Sequence, residues 1–128
     1  TDGSFGPGRE SLSMNIHLRT QDVTLPPRGG DALRRRVARM FSGLASRIAH
    51  LHVTLKDVNG PRGGRDKVCI LRGELADGGE VLVRGRSDHM RRALEVSARR
   101  FKDSVYRQIE RRESRKRQRV RFSESSLA

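Results

Sequence analysis

The chain has 128 residues, room for one domain with a modest core. Its 28 Lys plus Arg against 15 Asp plus Glu leave a formal charge of +13, an excess that is best explained by a polyanionic partner. A single cysteine rules out an internal disulfide and a thiolate metal cluster, and no apolar stretch is long enough to span a bilayer.

In chain order, residues 1–12 mix Gly3, Gly6, Pro7 and Gly8 with polar residues and show no period, so a disordered leader is expected. Met14, Ile16 and Leu18 alternate with polar residues, which predicts a strand with one buried face. Pro26, Pro27, Gly29 and Gly30 break the chain, and Asp31 is placed to cap a helix. Leu33, Val37, Phe41, Leu44 and Ile48 then recur at three- and four-residue spacing, with Met40 alongside. One amphipathic helix is predicted over them, interrupted by Gly43. Leu51, Val53 and Leu55 alternate with His52, Thr54 and Lys56 in a second strand. Asn59 to Arg65 reads as a flexible loop and residues 67–75 as a third strand. Asp77-Gly78-Gly79 signals a tight turn into a fourth strand, Glu80 to Arg86. Ser87 and Asp88 are candidate caps for a last helix, whose apolar side carries Met90, Leu94, Ala98, Phe101 and Val105. Past Arg112 the apolar period stops, and residues 113–128 read as a basic, mobile tail.

The expected domain covers residues 13–112, with the order β-α-β-β-β-α. Strand-helix-strand implies a right-handed crossover and parallel pairing; the later strands join as antiparallel hairpins. Each helix has one apolar stripe, so the expected architecture is α+β, a four-stranded mixed sheet with two helices packed on one face. The other face would present Asn15, His17, His52, Thr54 and Lys56 to solvent.

Catalytic and metal chemistry find little footing. Gly60 to Gly64 joins two strands, unlike a phosphate loop, which opens a helix. His17, His50, His52 and His89 lack the spacing and carboxylate company of a metal site, and Asp57 and Asp66 flank a loop without a recognisable nucleophile. Cys69 lies in the apolar run Val68-Cys69-Ile70-Leu71 and reads as a small buried hydrophobe. The expectation is a binding protein with no enzyme activity, no cofactor and no small-molecule substrate. No signal-peptide pattern opens the sequence, so the cytoplasm is the expected compartment, with no membrane contact.

Arginine dominates what remains. The only lysines are Lys56, Lys67, Lys102 and Lys116. A guanidinium presents a planar fork that matches phosphate oxygens in pairs, so an Arg-rich surface suits nucleic acid. The candidate RNA-binding set is Arg34, Arg35, Arg36 and Arg39 on the first helix, Arg84 and Arg86 on the fourth strand, and Arg91, Arg92, Arg99, Arg100, Lys102 and Arg107 on the last helix. Acidic Glu95, Asp103 and Glu110 interrupt the last cluster. Tyr106 is the only tyrosine, and Phe41 and Phe101 fall on core stripes, so recognition by shape and phosphate is expected over base stacking.

The element order and several motifs resemble the ribosome hibernation promoting factor family, including ribosome-associated inhibitor A, from about Met14 to Arg112. Met14-Asn15-Ile16 is similar to its first strand, and Ala32-Leu33-Arg34 with Val37 to its first-helix start. Asp88, Met90, Ala93 and Leu94 match its last-helix motif, with Arg91 where that family usually has tyrosine. The resemblance implies binding to the small ribosomal subunit and its rRNA in the decoding region, across the path of messenger and transfer RNA, with ribosomes held inactive under stress. It implies a short form, monomeric off the ribosome. A general double-stranded RNA-binding module is the alternative, although such domains lack the first strand. A small RNA-processing enzyme and a protein that dimerises through its open sheet face are more distant readings.

Overall fold

The structure, a computed structural model, describes residues 14–58 and 66–127. The expected leader, and the loop with Arg62 and Arg65, lie outside the described residues. The elements are β1 (Asn15–Gln21), α1 (Gly29–Met40), a 3-10 helix (Ser42–Arg47), β2 (Ile48–Asp57), β3 (Lys67–Leu75), β4 (Glu80–Ser87) and α2 (Met90–Leu127). The strands form one mixed sheet in the order β1-β2-β3-β4. β1 pairs parallel to β2, while β2–β3 and β3–β4 are antiparallel. The α+β architecture expected from the periodicities is the one observed.

Both helices cover one face of the sheet. Val37 and Phe41 from the first helical segment, Leu51, Val53 and Leu55 from β2, Cys69 and Leu71 from β3, and Leu94, Phe101 and Val105 from α2 share one buried cluster. Phe41 and Phe101 meet edge to face, with centroids 5.3 Å apart at 68°, a contact worth about 0.5–1.5 kcal/mol beyond its burial. α2 lies unusually close to the sheet because two glycines leave room for it. A Cβ at Gly73 would stand 2.3 Å from the Phe101 ring, and one at Gly85 would stand 2.5 Å from the Ala93 carbonyl oxygen.

Two expectations are corrected. Asp31 does not cap α1. The helix begins three residues earlier than such a cap implies, at Gly29 behind Arg28 at φ 65° in the left-handed region, and the Pro26-Pro27 turn is closed by Gly29 N–H donating to the Pro26 carbonyl at 2.7 Å. Asp31 sits in the first turn, where it favours the positive helix end. Second, the first helix does not run to Ile48. It ends at Met40, a 3-10 helix follows, and Ile48 is already the first residue of β2. A 3-10 helix aligns residues three apart, so Phe41 and Leu44 share a face in it as they would in an α-helix, and the apolar spacing cannot separate the two. In the structure α2 continues through residues 113–127 of the expected tail. No glycine or proline follows Gly85, and Arg, Lys, Gln and Glu are strong helix formers.

Candidate nucleic-acid interface

The basic residues fall on two surfaces. On the helical layer, α2 presents three sides whose neighbours are identified by contact. Toward α1, Glu95 accepts from Arg36 at 3.4 Å and the Lys102 ammonium lies 5.6 Å from the Phe41 ring centroid. Toward the β4 edge, Arg100 donates to the Arg84 carbonyl at 2.6 Å, Gln108 to the Glu80 carbonyl at 2.9 Å and Arg112 to the Asp77 carbonyl at 3.3 Å. These bonds satisfy acceptors of β4 and its hairpin that would otherwise invite another strand. Between these sides, Arg92 and Arg99 point away from the sheet, seven residues and two helical turns apart, both exposed.

Pairing divides the expected set. Arg36 is half-buried, holds Glu95, and has an Nε without a partner among the described residues. Arg34 pairs with Asp31 at 3.3 Å within α1. By contrast, Arg35, Arg39, Arg84, Arg86, Arg91, Arg92 and Arg99 have no carboxylate within ion-pair distance among the described residues. All seven are exposed. Arg107 is also exposed, with a long 3.4 Å contact to the Ser104 hydroxyl. Their charges are available to an external anion at no cost in broken pairs.

Arg84 and Arg86 are not on the helical layer. They project from the opposite, open face of the sheet, whose register sets out four rows from β1 to β4: Asn15, His50, Glu74, Glu80; His17, His52, Arg72, Leu82; Arg19, Thr54, Ile70, Arg84; and Gln21, Lys56, Val68, Arg86. One end of this face is therefore basic, through Arg19, Lys56, Arg84 and Arg86. Arg19 was not legible as part of this group, because only the parallel β1–β2 register aligns it with Arg84.

The other end holds a histidine cluster. His17 and His52 stack with centroids 4.6 Å apart at 14°, as their adjacent strands suggested. His17 Nε2 also meets His50 Nδ1 at 3.1 Å, and His52 Nε2 donates to Glu74 Oε2 at 2.8 Å. Desolvation, then the neighbouring His52 and His50, lower the His17 pKa from its ordinary 6.5. The bond from His52 holds the Glu74 carboxyl below its ordinary range. No group of His, Cys, Asp and Glu among the described residues has metal-binding geometry.

The two carboxylates beside the β2–β3 loop have a structural role. Lys67 Nζ donates to Asp57 at 3.1 Å and to Asp66 at 3.0 Å. Cys69 is fully buried, and desolvation pushes its thiol up to about 11. Among the described residues no helix is long and apolar enough to cross a membrane.

No family model matches the sequence, and no curated protein matches it significantly. Solved structures with this fold include a ribosomal subunit interface protein from Coxiella burnetii, at TM-score 0.60 and 16% identity, over 76% of this chain and 99% of that one. They also include the N-terminal domain of Protein Y from Thermus thermophilus, at TM-score 0.57 and 18% identity, over 73% of this chain and 98% of that one. At these identities the likeness is one of fold.

Proposed function

We propose that this chain is a ribosome-binding translation inhibitor of the hibernation promoting factor family. In this reading it docks on the rRNA of the small subunit in the decoding region, blocks messenger and transfer RNA there, and does so without catalysis. One observation carries the reading above all. The fold shared with a protein described as a ribosomal subunit interface protein bears, in this chain, exposed arginines along α2, such as Arg92 and Arg99, that no carboxylate among the described residues neutralises. A folded RNA supplies the phosphates those guanidinium groups lack, and each phosphate contact releases counterions and so favours binding at low salt. The scarcity of exposed aromatics fits recognition of RNA shape over base stacking.

Co-sedimentation with purified ribosomal subunits tests this. The expected result is salt-sensitive binding to the small subunit that transfer RNA competes away. The double variant Arg92→Glu/Arg99→Glu should lose that binding while keeping the wild-type melting temperature. Equal affinity for any duplex RNA would instead favour a general double-stranded RNA-binding module. Absence of binding to either would overturn the reading.

A further inference from the structure

Residues 113–120 of α2 have no part in the domain core. The Arg112 contact with Asp77, at 3.5 Å, ties the helix to the β3–β4 hairpin. From residue 113 to 120 every residue is exposed, with no side-chain hydrogen bond or ion pair among the described residues. At 1.5 Å per residue, residues 113–127 extend about 20 Å past the hairpin. Such a lone helix is marginal in water even when its sequence is favourable.

This one is also opposed by its own charge. Residues 111–121 contain Arg111, Arg112, Arg115, Lys116, Arg117, Arg119 and Arg121 against the single acid Glu113. Arg111 and Arg115, Arg112 and Lys116, Arg115 and Arg119, and Arg117 and Arg121 are spaced i,i+4. On a helix these are like-charge neighbours, each pair destabilising. The same spacing makes the helix a dense rail of cations. Arg100, Arg107, Arg111 and Arg115 follow one another at 7-, 4- and 4-residue steps. The rail therefore runs from the β4 edge of the domain onto the free helix without a break in side.

We propose that residues 111–120 form a second RNA-binding element, an arginine-rich helix that is ordered by docking along the phosphates of a folded RNA and extends the footprint of the domain. An external polyanion removes the i,i+4 repulsion and supplies the contacts the helix lacks, so helix formation and RNA binding are one coupled event. Between residues 111 and 120 the helix carries Val120 as its one large apolar residue, so this stretch offers little to an apolar protein groove or a lipid interior. The inference rests on the RNA-binding reading above.

The test uses the whole chain with four substitutions, Arg115→Gln, Lys116→Gln, Arg117→Gln and Arg119→Gln, which remove charge and keep good helix formers. The probes are purified small ribosomal subunits and their extracted rRNA. For the wild type, circular dichroism should show a gain in helix on rRNA addition, and amide exchange over residues 113–120 should slow. For the variant, the helix gain should vanish, and the slope of log K against log salt should become shallower by about 3, at roughly 0.7–0.9 per phosphate contact. The melting temperature should not change. A wild type that binds RNA with a slope and helix gain identical to the variant's would overturn this proposal and leave the broader reading standing. A wild type that binds neither probe would overturn both.

Discussion

Gly85→Ala isolates the close approach of α2 to the sheet. The glycine has no positive φ, so the backbone itself accepts alanine. The conflict is one of space. The new methyl group would stand 2.5 Å from the Ala93 carbonyl oxygen, 2.7 Å from the Ser97 nitrogen and 3.0 Å from the Ser97 Cβ. Two of these atoms are helix backbone, so no rotamer change relieves them. Restoring ordinary contact means moving α2 outward by about 1 Å along its first turns, which loosens Leu94, Ala98 and Phe101 at once. Overpacking of this kind costs roughly 1–3 kcal/mol. Replacing glycine recovers about 0.4–1 kcal/mol through the unfolded chain. The net expectation is a loss of about 1–2 kcal/mol. For a domain of this size that lowers the melting temperature by roughly 4–15 °C. Thermal and urea unfolding followed by circular dichroism measure it, with Gly43→Ala, where a Cβ meets nothing within 4 Å, as the control. A Gly85→Ala protein as stable as wild type would refute the argument that this glycine is required by helix–sheet approach.

Three further outcomes are expected. Because the folded state lowers the His17 pKa, the unfolded chain binds protons first as pH falls; stability is therefore full above pH 6.5 and declines below it, and His17→Asn should flatten that part of a urea-midpoint profile. Cys69, buried and with its thiol pushed up to about 11, should resist a thiol reagent at pH 8 in the native protein and react at once in urea; rapid native labelling would contradict the packing of β3 under α2. Glu95→Gln removes an exposed partner of Arg36, so it should change stability by under about 1 kcal/mol. It should also tighten rRNA binding a few-fold, since it takes a negative charge out of the basic helical layer; unchanged affinity would place that layer outside the interface.

The order of elements and most of the core were written in the sequence. Alternation at Met14 to Leu18 and Leu51 to Leu55, the Asp77-Gly78-Gly79 turn and the stripe from Met90 to Val105 each report a local period, and burial of one face produces such a period wherever it occurs. The net charge and its arginine bias pointed to a polyanion for the same reason, since composition needs no coordinates. Two things depended on tertiary structure. The α-to-3-10 change near Gly43 keeps the same apolar spacing, so only packing against β2 separates the two. The fate of each arginine depends on its neighbours across the fold. Arg36 is taken up by Glu95, 59 residues away, and Arg84 joins Arg19 on the open face through the sheet register. Arg92 and Arg99 stay unpaired because nothing among the described residues packs over the outer side of α2. Charge is a property of a residue, but its availability to a ligand is a property of the residues that fold brings beside it.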